Sequence, residues 1–334
     1  MPYLQLRQVS GTRWSIHFGA ERDFDPAKAG YGWSEISTVC SDPTEQVLVS
    51  AALQRLGPFW FNDLAPVLAQ YRWLKLRTDC GIDTSNYGSA RVINGSSQTE
   101  RDVVGYLAAP ISEAQNRIIV ECLRPCLAER YRDCGLEFYL PSEIVRLGLC
   151  QILNRAMQII SSVQGAAASV SAVLSTVHIL KPESPQCDVS YSEPILPFSI
   201  FVGVDPEVRL NRDIRVAEGI LHECMHLQLS LIEDITPLVA DNNENYLSPW
   251  RQTVRPTSGV LHALYVFRVI QDFFGAILTS ANIGQDERNY AKRRIEEIDA
   301  EVDQVEDLSS SQDLTAAGSA LVERLTAGND VKAR

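Results

Sequence analysis

Apolar positions recur at helical spacing through several long stretches of this chain and crowd together in a shorter central one. "SDPTEQVLVSAALQRLG" opens with Asp42 as an N-cap, carries Pro43 in its first turn and closes on Gly57, so it predicts a helix. "FNDLAPVLAQYRWLKLRTDCG" predicts a second, which Pro66 kinks. Residues 81–100 are rich in Gly, Ser, Thr and Asn and predict a long loop. That loop is the one plausible seam, between a helical N-terminal lobe (1–100) and the rest (101–334), unless the chain folds as one domain. The spacing predicts a helix over 141–163 with Ser142 as its cap. The pattern then changes to β-branched and aromatic runs between Pro-rich breaks, which predict strands at 169–180, 187–192 and 197–204. Helical spacing returns at 212–234, 258–280, 282–306 and 313–326. The acidic stretch 296–313 reads as a solvated helix face running into a loop. The expected class is α+β, mostly helical, with a small sheet before the helix at 212–234.

Composition narrows the function classes. The chain has 334 residues, 45% hydrophobic and 22% charged, as in an ordinary globular protein. A formal net charge of -12 argues against nucleic acid as a partner, because no general basic surface exists to replace phosphate counterions. The N-terminus lacks the apolar run of a secretory signal. No stretch reads as long and apolar enough to span a bilayer, since the best candidate, "GVLHALYVFRVI", is short and carries Arg268. Eight Cys form no C-x-x-C pair, so they read as reduced, buried thiols, and a cytoplasmic location is expected.

The candidate chemistry sits in "GILHECMH" (219–226). His222 and His226 are four residues apart, so both imidazoles leave one face of the helix and can take the same divalent cation. This H-E-x-x-H turn predicts a zincin-like placing of the metal helix. In a zinc peptidase Glu223 would accept a proton from metal-bound water. The third ligand decides between chemistries. Leu229 and Ile232 stand where a metzincin needs Gly and His, which excludes that class. A thermolysin-like site needs a Glu, and Glu244 in "ADNNENYLS" is the candidate, in a polar stretch that reads as an exposed loop. The other candidate is His262, on an apolar helix capped by Thr257 or Ser258. A lone His there is more often a core residue than a ligand. The upstream His pair and the adjacent "PWRQTVRP" raise its standing.

The segment "YLSPWRQTVRPTSGVLHALYVF" (246–267), following "LHECMH" at this distance, resembles the α-ketoglutarate-dependent HExxH-type peptide β-hydroxylases that modify ribosomally made peptides. The resemblance rests on His222, Glu223, His226, Trp250, Arg251, Arg255, Pro256 and His262. It extends to "YSEPILPFSIFVGV" (191–204) and covers roughly 170–275. It implies Fe(II) held by His222, His226 and His262, with α-ketoglutarate and O2 as co-substrates and a precursor peptide as substrate. It places Arg251 or Arg255, with Trp250 beside them, at the distal carboxylate of α-ketoglutarate, because guanidinium pairs bidentately with carboxylate. Glu223 then has no obvious catalytic duty and is expected to shape the site or hold a hydrogen bond behind it. Two other readings stay open: a zinc metallopeptidase using His222, His226 and Glu244 with Glu223 as general base, and a non-catalytic peptide-binding protein with a structural metal. Were strand 197–204 a sheet edge, a substrate peptide could add to it, though its apolar run "IFVGV" reads as a central strand.

Overall fold

The structure, a computed structural model, describes residues 5–9, 13–17, 103–108, 110, 117–123, 125–185, 187–193, 198–279, 283–305 and 308–327. The helices expected within 41–80 and the loop and seam expected at 81–100 lie outside the described residues. In chain order the strands are β1 (Gln5–Val9), β2 (Arg13–His17), β3 (Val103–Ala108) and β4 (Arg117–Glu121). The helices α1 (Pro125–Asp133), α2 (Pro141–Arg146), α3 (Leu149–Ser161) and α4 (Gln164–Val173) follow. Then come β5 (Thr176–Leu180), β6 (Val189–Ser192), β7 (Ser199–Gly203), α5 (Arg212–Ile235), the hairpin β8 (Asn245–Ser248) and β9 (Thr253–Pro256), α6 (Thr257–Thr279), α7 (Gln285–Val302) and α8 (Ala316–Thr326).

The class is α+β, with a sheet that precedes the long helix α5. Among the described residues the sheet has seven strands in the order β2-β1-β6-β7-β5-β4-β3. It is larger than the pattern predicts, because two hairpins, β1–β2 and β3–β4, extend it on either side. β5 runs parallel to β4 and β7, while β6 runs antiparallel to β7 and β1. β7 therefore lies inside the sheet, as its apolar run "IFVGV" predicts, and offers no edge to which a peptide could add. Side chains alternate across the sheet. Val177, Ile179, Ile200 and Val202 enter the main core under α3, α4 and α5. Leu180, Val189, Tyr191 and Phe201 enter a second cluster with Leu123, Ala128, Tyr131 and Leu136. Covering both faces is what lets the central strands read as unbroken apolar runs.

Three expectations need correction. The helix at 141–163 is two helices, because Gly148 adopts φ 65 and caps α3 in the left-handed region that glycine enters without steric cost. The strand at 169–180 is a helix up to Val173 and a strand only from Thr176. Gly165, Ala166, Ala167, Ser169 and Val170 are all buried, and this small-residue face packs α4 closely on α5, which overrides the β-branched character of "SVSAV". The stretch 296–313 is not simply solvated: Asp313 is buried, and its Oδ2 accepts from the Glu244 amide at 2.7 Å and from Thr257 Oγ1 at 2.9 Å. In addition, α6 is 23 residues long and contains an 18-residue window of mean hydropathy 1.4, so by length and composition it does reach a membrane-spanning run; 78% of that window is buried inside the protein.

His178, buried on β5, rests on Phe201 with ring centroids 4.8 Å apart, and its Nδ1 lies 3.1 Å from the Glu121 carbonyl. Burial pushes its pKa down to about 4, against an ordinary value near 6.5. Below about pH 6.5 the unfolded chain takes up a proton that the folded protein refuses, so stability falls from there down to about pH 4. The expected loss between pH 7 and pH 5 from this one residue is about 2 kcal/mol. His178→Phe should shrink the pH 7 to pH 5 difference in urea unfolding free energy by that amount. Identical pH dependence in both proteins would contradict this account of His178.

Candidate metal centre

Helix α5 is amphipathic in an unusual way, since the face it buries carries polar groups at one-turn spacing: Glu218, His222 and His226. The His222 and His226 rings sit 4.8 Å apart, with their Nε2 atoms at 3.1 Å. Burial holds both pKa values well below the ordinary range. Arg294 and Arg251 push His222 further down, and His222, His262, Arg251 and Arg255 do so for His226. Both imidazoles are therefore neutral, and each offers a lone pair. Two such nitrogens at 3.1 Å fit one cation with metal–nitrogen bonds of about 2.1 Å.

His262 arrives from α6. Its ring stacks on His226 at 5.7 Å and 15°, with Nδ1 facing Nδ1 at 3.4 Å, while its Nε2 meets Glu233 Oε2 at 2.8 Å. His226 thus turns one nitrogen to each neighbour, and the three histidines form a row. Among the described residues no three His, Cys, Asp or Glu side chains are grouped closely enough to hold one metal ion. The donor chemistry fits a soft or borderline divalent ion at the His222–His226 pair, and His262 is the imidazole beside it.

Two arginines face the same row. Arg251 lies in the turn of the β8–β9 hairpin, where the Ser248 carbonyl accepts from the amides of both Arg251 and Gln252, and Gln252 takes φ 55. Arg255 is at the β9 end, buried, with its guanidinium against the first turn of α6; a Cβ on Gly259 would sit 3.0 Å from it. Burial, then the neighbouring Arg255, depresses Arg251 to about 8, and burial depresses Arg255 to about 10. The Arg255 shift reflects the cost of holding a charge out of water, and the Arg251 shift adds repulsion from Arg255; an anion near them would offset both. Trp250, also expected near the co-substrate, is buried and stacks on Phe267 at 5.1 Å and 8°; Phe267 in turn meets His222 edge-on at 5.3 Å. Trp250 is one layer removed from the histidines, in their aromatic wall.

The two glutamates named from the sequence sit elsewhere. Glu223 is buried, and each of its oxygens accepts a serine hydroxyl from β6, Ser190 and Ser192, both at 2.6 Å. Burial raises its pKa to about 7 against the pull of those two bonds. It fastens α5 to the sheet. Glu244 gives its carboxylate to Ser311 at 2.5 Å, Tyr246 at 2.8 Å and the Gln312 amide at 3.1 Å, and the Ser311 bond above all holds its pKa below the ordinary range.

Sequence reasoning missed Glu233, although seven residues after His226 is two helical turns on nearly the same face, so the spacing signal was present. It also missed the fully buried Arg294, which pairs with Glu218 at 3.0 Å one turn before His222, with Tyr290 donating to the same carboxylate at 2.6 Å. Nothing local marks that pair. A scan against protein-family models gives no match, and a search of curated proteins gives none.

The serine clasp on Glu223 makes a stability prediction. Glu223→Ala leaves the buried Ser190 hydroxyl and the part-buried Ser192 hydroxyl without their acceptor and should cost about 2–4 kcal/mol. Glu223→Gln keeps an acceptor and a donor for the same hydroxyls and should stay within about 1 kcal/mol of the parent. Urea unfolding of the metal-free proteins reads both; equal losses in the two variants would show that the serine contacts do not hold the helix.

Proposed function

We propose that this chain is an Fe(II)/α-ketoglutarate-dependent oxygenase that β-hydroxylates a residue of a ribosomally made precursor peptide, with its metal helix placed as in a zincin. The observation that carries the reading is a row of three histidines with Arg255, buried, and Arg251, half-buried, near enough to depress the His226 pKa. A peptidase has no need of that cationic pair; a dicarboxylate co-substrate does. His222, His226 and His262 would hold the iron, three neutral donors that leave the charge of the metal to be balanced by α-ketoglutarate. With α-ketoglutarate and O2, bound iron supplies the overall conversion of a C–H bond to C–OH, with release of succinate and CO2.

The protein's own groups do the rest. Arg255, backed by Gly259, would hold the distal carboxylate of α-ketoglutarate through a charge-assisted pairing. Arg251, on the hairpin turn, adds positive potential next to the histidines. Phe267 and Trp250 close one side of the site against water. Glu223 holds α5 in register with the sheet. The peptidase alternative would need Glu223 to meet metal-bound water and Glu244 to reach the metal, and both carboxylates are committed to other partners.

Two measurements test the assignment. His262→Ala should abolish stoichiometric iron retention while the fold persists, and Glu244→Ala should leave it largely intact; metal analysis of the purified variants in which the pattern is reversed would restore the peptidase. Separately, Arg255→Ala should weaken α-ketoglutarate binding to the iron-loaded protein by about 2–5 kcal/mol, roughly thirtyfold to several thousandfold, without loss of the metal. Calorimetric titration with α-ketoglutarate reads this, and an unchanged affinity would remove Arg255 from the co-substrate site.

A further inference from the structure

Glu301 stands in the last turn of α7, which ends at Val302. The carbonyl end of a helix repels a carboxylate, and that turn carries no basic residue to compensate. Local helix physics therefore disfavours an acid at this position. Spacing puts Glu301 on one face with Arg294 and Glu297, at i, i+3 and i+7. Those two are matched already: Arg294 meets Glu218 at 3.0 Å and Glu297 at 2.5 Å. Glu301 is the remaining charge on that face, and its Oε2 is buried without a hydrogen bond from either neighbour.

The register of α6 against α7 shows what Glu301 meets instead. Phe274 packs on Tyr290 at 5.8 Å, Gln271 donates to the Ile295 carbonyl at 3.3 Å, and Arg268 reaches Asp299 at 3.3 Å. The two helices are thus antiparallel, and the next step brings Glu301 level with Phe267. Phe267 is the ring on which Trp250 stacks. Trp250 is buried, and its indole Nε1 has no other hydrogen-bond partner. An indole N–H only donates and a carboxylate only accepts, so the two groups left over at this junction are complementary. Burial pushes the Glu301 carboxyl up to about 7; Glu297 and Glu218 add to the rise, and Arg294 and the Trp250 indole pull against it.

We propose that Glu301 is a positioning residue for the β8–β9 turn: it accepts the Trp250 indole N–H, and so fixes both the ring that walls the histidines and the backbone that carries Arg251. The bond itself needs nothing bound at the site; its effect on co-substrate binding rests on the oxygenase reading. An ionised carboxylate is a stronger acceptor than a protonated one, so the turn is held most firmly where Glu301 is charged and loosens as the pH falls. This gives the acidic end of α7 a task at the site that its sequence, read as a solvated face, does not announce.

The test uses the full-length chain with tryptophan labelled for NMR, free of metal and co-substrate. Trp250→Phe keeps an aromatic ring, removes the N–H and identifies the Trp250 indole signal among those of the five tryptophans. In the parent that signal should move downfield as the pH rises, with a midpoint near the Glu301 value of about 7. In Glu301→Gln it should stay fixed over the same range. A signal that does not move in the parent, or one that still titrates in Glu301→Gln, would overturn the bond; the parent titration decides this even if the variant fails to fold. In the iron-loaded protein, Trp250→Phe and Glu301→Gln should each weaken α-ketoglutarate binding by roughly twofold to tenfold, and the double variant no more than either alone. Unchanged affinity in both, or losses that multiply in the double variant, would overturn the positioning role. A parent that binds no α-ketoglutarate would overturn the oxygenase reading and the role at the site with it, while the indole titration still decides the Trp250–Glu301 bond.

Discussion

Nitrogen-rich side chains are buried together between α5, α6 and the β8–β9 hairpin, where water cannot solvate positive charge, and this electrostatic constraint organises the rest of the molecule. Burial alone keeps His222 and His226 neutral, and the nearby guanidiniums reinforce it. The same burial makes Arg251 and Arg255 costly to hold side by side. In the proposed reading a divalent cation would take the imidazole lone pairs and a dicarboxylate would offset the positive charge beside them. A buried ion pair borders this centre. Arg294 is fully buried yet satisfied by Glu218 and Glu297, and Glu218 lies one turn below His222 on the same helix.

Rigidity follows from how the site is mounted. α5 is pinned to β6 by Glu223 with Ser190 and Ser192, and α6 is pinned to α5 by Tyr265 donating to Gln228 at 2.7 Å as well as by His262 and Glu233. β9 runs straight into α6, so Arg255 and His262 share one continuous segment. A ligand set carried on packed helices keeps its geometry better than one carried on loops. Glu244 illustrates the contrast: it belongs to the polar approach to β8 and ties that approach to the segment 308–313.

Legibility in the sequence tracked how local each cause is. α5 and α6 were readable because apolar periodicity and end signals reside within the helix itself, and His222, His226 and His262 came with them. The break at Gly148 was not, because a glycine inside a helical pattern does not declare its φ. α4 departs from the strand that "SVSAV" favours by itself, because the close approach of α5 makes a small-residue helix the better solution. The alternation in "DVSYS" was read as a strand. That its serines point inward became clear only with Glu223 lying opposite them. The duties of Glu223 and Glu233 depend on partners about thirty residues away or more, and the pairing of Arg294 with Glu218 on one 76 away.

The claim at the centre of this account is that the histidine row and the arginine pair serve one oxygenation reaction. Isotope labelling tests it most directly. The iron-loaded protein is given α-ketoglutarate, a candidate precursor peptide and ¹⁸O2, and the products are weighed by mass spectrometry. The account predicts one labelled oxygen atom in the intact peptide and one in an equimolar amount of succinate. Peptide cut into fragments in a zinc-dependent way, with no labelled oxygen in peptide or succinate, would contradict it.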